Sequence, residues 1–220
     1  VYGGAKKRQV LCLHGLGSTG SESFENLAMY CTLEYQLIAP DWIGFGKTAR
    51  LLGAKDSYDA DYCTEWLECF VDAAIAQGII HPPFHILAQS MSAIPVANSM
   101  ARNEALVDRI AFVNPAGIDR CISLKFAFAL TNPFFDPRSF ARLIVKEKIW
   151  YDYLGWSEKH RERLLAGLEN GELETFVRYA RAGIHFFGRM KPTHIVCEKF
   201  AEMRKQVMVL CSSYDPIFYK

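Results

Sequence analysis

Ser90 ends an apolar run, Phe84-His85-Ile86-Leu87-Ala88-Gln89, and a small-residue segment with helical spacing follows at once: Ser92, Ala93, Val96, Ala97 and Ala101. A serine on such a strand-to-helix turn lifts its hydroxyl above the sheet edge, where a base can reach it. The helix N-terminus beneath favours negative charge. The chemistry this permits is nucleophilic attack on a carbonyl. Strand and helix backbones nearly touch at such a turn, so the positions two residues either side of the serine must be small. The usual pattern is G-x-S-x-G; here Ala88 and Ser92 stand in the glycine positions. The competing reading is that Ser90 only caps the following helix.

Two further segments could contribute to a site. A buried strand over 9–15 runs into His14-Gly15-Leu16-Gly17, where Gly15 and Gly17 allow a sharp turn and leave amide hydrogens unobstructed. A second strand, 35–40, runs into Asp41-Trp42-Ile43-Gly44-Phe45-Gly46. The same residues offer two other readings. Gly15-Leu16-Gly17-Ser18-Thr19-Gly20 spells G-x-G-x-x-G after a strand, and Asp41 follows it at the roughly 20-residue spacing of a dinucleotide-binding fold. That reading leaves His14, the second loop and the serine turn without a role. Gly46-Lys47-Thr48 imitates the end of a phosphate-binding loop, but Asp41 stands where that motif requires glycine.

In that order, the H-G-x-G loop, the D-x-x-G-x-G loop and the serine turn resemble the α/β-hydrolase superfamily, with the likeness running from Gln9 to Asp215. The resemblance implies a serine hydrolase that forms an acyl-enzyme on Ser90. The backbone amides of Leu16 and Met91 would be its oxyanion donors, and His14, Gly15 and Gly17 its oxyanion loop. Asp215, which follows the strand-like run 206–212, matches the triad acid by position. Asn114 and Asp119 are its rivals, because some members carry the acid after the preceding strand. Asp41 is better read as a carboxylate that shapes its own loop.

None of His14, His81, His85, His160, His185 or His194 matches the family's triad histidine. It is therefore expected beyond Lys220, with the sequence an internal piece of a longer hydrolase. The alternative is a ligand-binding relative without turnover. Carboxylic esters or related acyl compounds are the substrate class the resemblance implies. Lactones, amides and carbon–carbon bonds of diketones share the same machinery.

Strand-like runs at 9–15, 35–40, 84–89, 109–114 and 206–212 alternate with helical stretches, implying a mostly parallel sheet with helices on both faces. Such sheets bind ligands at the carboxyl ends of their strands, where His14, Asp41, Ser90, Asn114 and Asp215 fall. A helix is expected over 61–77, with Tyr62, Trp66, Cys69, Phe70 and Ala73 on its apolar face. Between 118 and 204 no convincing buried strand appears, and the segment resembles the helical cap of many α/β-hydrolases. Core is thus expected over 1–117 and 205–220, and cap over 118–204.

The 220 residues are 50% hydrophobic, enough to bury a sizeable core. A net charge of +1 gives no reason to expect nucleic acid or an anionic membrane as partner. No apolar run reaches the roughly 20 residues of a membrane span. The seven cysteines form no C-x-x-C pair, which suggests reduced thiols in a cytoplasmic protein. The six histidines lack ligand spacing, so neither metal nor cofactor is expected.

Overall fold

The computed structural model describes residues 1–4, 7–16, 18–48, 59–117, 121–122, 203–211 and 218–219, with 158, 162, 166, 198, 199 and 201 individually. Strands β1 (Arg8–Leu13), β2 (Tyr35–Ile38), β3 (Phe84–Gln89), β4 (Val107–Val113) and β6 (Gln206–Leu210) form one sheet in the order β2-β1-β3-β4-β6. Every pairing in it is parallel. Two short strands, β5 (Cys121–Ile122) and β7 (Phe218–Tyr219), pair antiparallel in a separate two-stranded ladder. A two-residue ladder has no side-chain period, so the sequence pattern carried no sign of β5. Each main strand falls where the apolar runs predict it. The second stops at Ile38 instead of residue 40, since Pro40 has no N–H to give a ladder.

Helix α1 (Gly20–Cys31) is capped by Thr19, whose hydroxyl accepts the Glu22 N–H at 3.3 Å. Helix α2 (Ala60–Ala76) is capped by Asp59, whose carboxylate accepts the Tyr62 N–H at 2.9 Å. Helix α3 (Ala93–Arg102) follows a single 3₁₀ turn over Ser90–Ser92. Side chains alternate across a strand, and β1 shows the consequence. Cys12 joins Phe24, Ala28 and Leu37 in a cluster beneath α1. Leu11 and Leu13 point the other way, into the larger core with Leu67 and Val71 of α2 and Val96 and Met100 of α3. The sheet thus carries helices on both faces.

Helix α2 is rotated relative to the expectation. Its buried side chains are Cys63, Thr64, Leu67, Val71 and Ala74, while Cys69 and Ala73 are exposed. The aliphatic row 63-67-71-74 fills the seam against the sheet. Tyr62, Trp66 and Phe70 are half-buried and pack from the flank. Trp66 reaches Trp42 with ring centroids 4.9 Å apart and stacks on Phe70 at 5.5 Å. Counting large apolar residues misplaced the face because long rings can cover a core from its edge.

The chain runs from β1 outward to β2 and then returns to β3 on the other side of β1. That reversal opens a crevice between the carboxyl ends of β1 and β3, the place where open parallel sheets bind ligands. His14 and Gly15 follow β1, and Ser90 follows β3.

Candidate active site

Ser90 has φ +52°, a left-handed conformation that side chains other than glycine rarely adopt. It marks the abrupt reversal from β3 into the turn that starts α3. Strain of this kind persists only where surrounding contacts impose it, and they are present here. Ala88 and Ser92, two residues either side, are both fully buried. The Ser90 carbonyl accepts the Ala116 N–H at 2.9 Å. Ala116 belongs to the segment after β4, which opens on Asn114 at φ +43°. The Asn114 N–H in turn donates to the Leu210 carbonyl at 2.7 Å. The ends of β4 and β6 are therefore tied to the serine turn through main-chain bonds.

The loop after β1 lies directly against Ser90. A Cβ placed on Gly15 would come within 3.2 Å of the Ser90 Cβ, so a residue without a side chain is favoured at position 15. Leu16 follows, half-buried, and Met91 is half-buried beside Ser90. Among the described residues, neither the Leu16 nor the Met91 amide takes part in the turn and loop hydrogen bonds.

His14 is fully buried, and both of its ring nitrogens are engaged. Nε2 accepts the backbone N–H of Trp42 at 2.9 Å. An N–H donor there requires Nε2 to be unprotonated, so the ring proton sits on Nδ1, which donates to the Gly15 carbonyl at 2.7 Å. The Trp42 indole N–H lies 2.8 Å from Ser92 Oγ and 3.1 Å from the His14 carbonyl. Ser92 Oγ donates to that same carbonyl at 2.6 Å. Sequence reasoning missed this network. A signal for it was present: a buried indole N–H needs an acceptor, and the sequence offers polar groups nearby in His14, expected at a strand end, and Ser92, two residues past Ser90.

Asp41 shapes its own loop, as expected. Its Oδ1 accepts the Gly20 N–H at 2.7 Å and its Oδ2 the Lys47 N–H at 2.9 Å. A Cβ on Gly46, at φ +53°, would lie 2.2 Å from Oδ2. The carboxylate thus occupies the N-terminal amide of α1, where a dinucleotide fold would receive a pyrophosphate. The dinucleotide reading of Gly15–Gly20 is set aside on that ground.

The structure brings His14, Gly15, Leu16, Ser90 and Met91 together. Gly17, Asp119, Asp215, His160, His185, His194 and the proposed cap lie outside the described residues, apart from single positions in the cap and β5. His85 is in β3, towards its start and away from Ser90; His81 is exposed. Among the described residues, no three His, Cys, Asp or Glu side chains cluster as metal ligands would. No described helix is long and apolar enough to cross a membrane.

Comparison with solved structures returns the same architecture. A 2-hydroxy-6-oxo-6-phenylhexa-2,4-dienoate hydrolase from a Rhodococcus strain is 16% identical, with 99% of this chain and 77% of that one covered and a TM-score of 0.67. An N-acyl homoserine lactonase, AidH, solved with N-hexanoyl homoserine, is 17% identical with 99% and 74% covered and a TM-score of 0.68. A hydrolase from Pseudomonas aeruginosa is 17% identical with 98% and 76% covered, again with a TM-score of 0.68. No curated protein is matched by sequence. Residues 9–219 match the alpha/beta hydrolase fold family, and the chain belongs to it.

Proposed function

We propose that this protein is a serine hydrolase that cleaves carboxylic esters or related acyl compounds through an acyl-enzyme on Ser90. The observation that carries the reading is the left-handed backbone of Ser90, φ +52°, in contact range of Gly15 at the crevice between β1 and β3. A strained non-glycine residue at a strand-to-helix turn points to function. Ser90 Oγ attacks the carbonyl, and the amides of Leu16 and Met91 receive the developing oxyanion. Each such donor contributes about 3 kcal/mol to transition-state stabilisation.

A serine hydroxyl needs a base and the base needs an orienting carboxylate. Asp215 is the proposed acid, ahead of Asn114 and Asp119. Asn114 cannot carry the charge that stabilises an imidazolium. His14 is not the base, because its Nε2 is held by Trp42 and its proton by Gly15. Residues 118–204 are proposed as a cap over the core formed by 1–117 and 205–220. An acyl substrate is in keeping with the lactonase and hydrolase among the structural neighbours.

The test is a panel of nitrophenyl esters of graded acyl length, run on the intact natural protein with labelling by a serine-directed fluorophosphonate. Ser90→Ala is expected to abolish both turnover and labelling while the fold stands. Turnover equal to wild type in Ser90→Ala would refute the assignment. The alternative reading, ligand binding without turnover, is tested by the same panel. Saturable binding of the esters with neither hydrolysis nor labelling would select it.

A further inference from the structure

Ser92 departs from the family's pattern, in which glycine occupies the second position after the nucleophile. The side chain is fully buried. Its Oγ donates to the His14 carbonyl at 2.6 Å and accepts the Trp42 indole N–H at 2.8 Å. The hydroxyl therefore joins the serine turn to the ends of both β1 and β2.

What it holds bears on the oxyanion. His14 Nδ1–H is bonded to the Gly15 carbonyl at 2.7 Å. That carbonyl and the Leu16 N–H belong to one rigid peptide plane, and across a trans peptide they point in opposite directions. Fixing the Gly15 carbonyl therefore fixes the direction of the Leu16 N–H. The His14 ring can fix it only if His14 itself is immobile. The ring is anchored by the Trp42 N–H on Nε2 at 2.9 Å, and the His14 backbone by the hydroxyl of Ser92. We propose that Ser92 is a positioning residue of the reaction: its hydroxyl pins the His14 carbonyl and so aims the Leu16 amide at the oxyanion formed on the Ser90-bound substrate. The inference rests on the proposed roles of Ser90 and Leu16.

A residue that only fills space would influence folding or every kinetic constant together. One that aims an oxyanion donor changes transition-state binding alone. Two variants remove the hydroxyl, Ser92→Ala and Ser92→Gly, the latter restoring the family's residue and so suiting the close strand–helix approach. Each is compared with wild type for nitrophenyl ester kinetics and for inhibition by an aryl boronic acid, whose serine adduct carries a tetrahedral negative charge.

A displaced donor should cost less than a deleted one, so kcat is expected to fall about tenfold to a hundredfold. The boronate Ki should rise by the same factor, with KM within about twofold and the melting temperature little changed. A kcat and Ki within about twofold of wild type in Ser92→Gly would overturn the proposal. So would a parallel collapse of KM, Ki and melting temperature in both variants, or failure of both to fold. Ser90→Ala is run alongside. If Ser90→Ala is inactive and Ser92→Gly is not impaired, only the role of Ser92 fails. If Ser90→Ala retains turnover, the serine mechanism fails, and the role of Ser92 with it.

Discussion

The strain at Ser90 can be measured without any substrate. Holding a side-chain-bearing residue in the left-handed region costs about 1–2 kcal/mol, and Ser90 sits there at φ +52°. Glycine visits that region freely but loses about 0.5–1 kcal/mol more chain entropy on folding than alanine does. The difference predicts that Ser90→Gly is more stable than Ser90→Ala by about 0.5–1 kcal/mol. For a chain of this size, 1 kcal/mol corresponds to about 2–4 °C in melting temperature. Urea denaturation of the two variants, followed by circular dichroism, gives the comparison directly. Ser90→Gly equal to or less stable than Ser90→Ala would show that the turn stores no strain, and the chief support for a functional serine would go with it.

Gly46→Ala should destabilise the fold by about 2–3 kcal/mol in the same assay, because its Cβ would lie 2.2 Å from Asp41 Oδ2 at a φ of +53°. If the intact protein supplies the expected triad histidine, Asp215→Asn should lower ester turnover by up to about four orders of magnitude through mis-orienting that ring, whereas Asp119→Asn should do little; the opposite result would move the acid to the earlier strand. Burial, reinforced by Cys31, pushes the Cys12 thiol up to about 12, so at pH 8 a disulfide reagent should titrate exposed Cys69 and Cys211 while Cys12 stays unmodified until the protein unfolds. Burial holds the His85 imidazole below its usual range, against the partial pull of Asp108 at 3.5 Å. The unfolded chain therefore takes up that proton first. Stability should fall as pH drops below the ordinary histidine range, and His85→Gln should flatten that slope in denaturation midpoints compared between pH 7 and pH 5.

The sequence alone determined the order of the five main strands and the helical stretches among them, because burial against two helical layers imposes apolar runs and amphipathic periods that survive without coordinates. It also singled out Ser90, since a serine flanked by small residues where a strand period gives way to a helical one suits a tight strand-to-helix turn. It also favoured loop-shaping over catalysis for Asp41. Other features were decided only in three dimensions. The buried face of α2 could not be read because Trp66 and Phe70 cover the core from its edge, while Leu67 and Val71 fill it. The G-x-G-x-x-G run kept two meanings until Asp41 was found bonded to the Gly20 amide. The link between His14, Trp42 and Ser92 joins residues 28 and 50 positions apart. No local pattern encodes such a contact; it exists because parallel pairing of β1 with β2 and β3 brings three strand ends to one edge of the sheet.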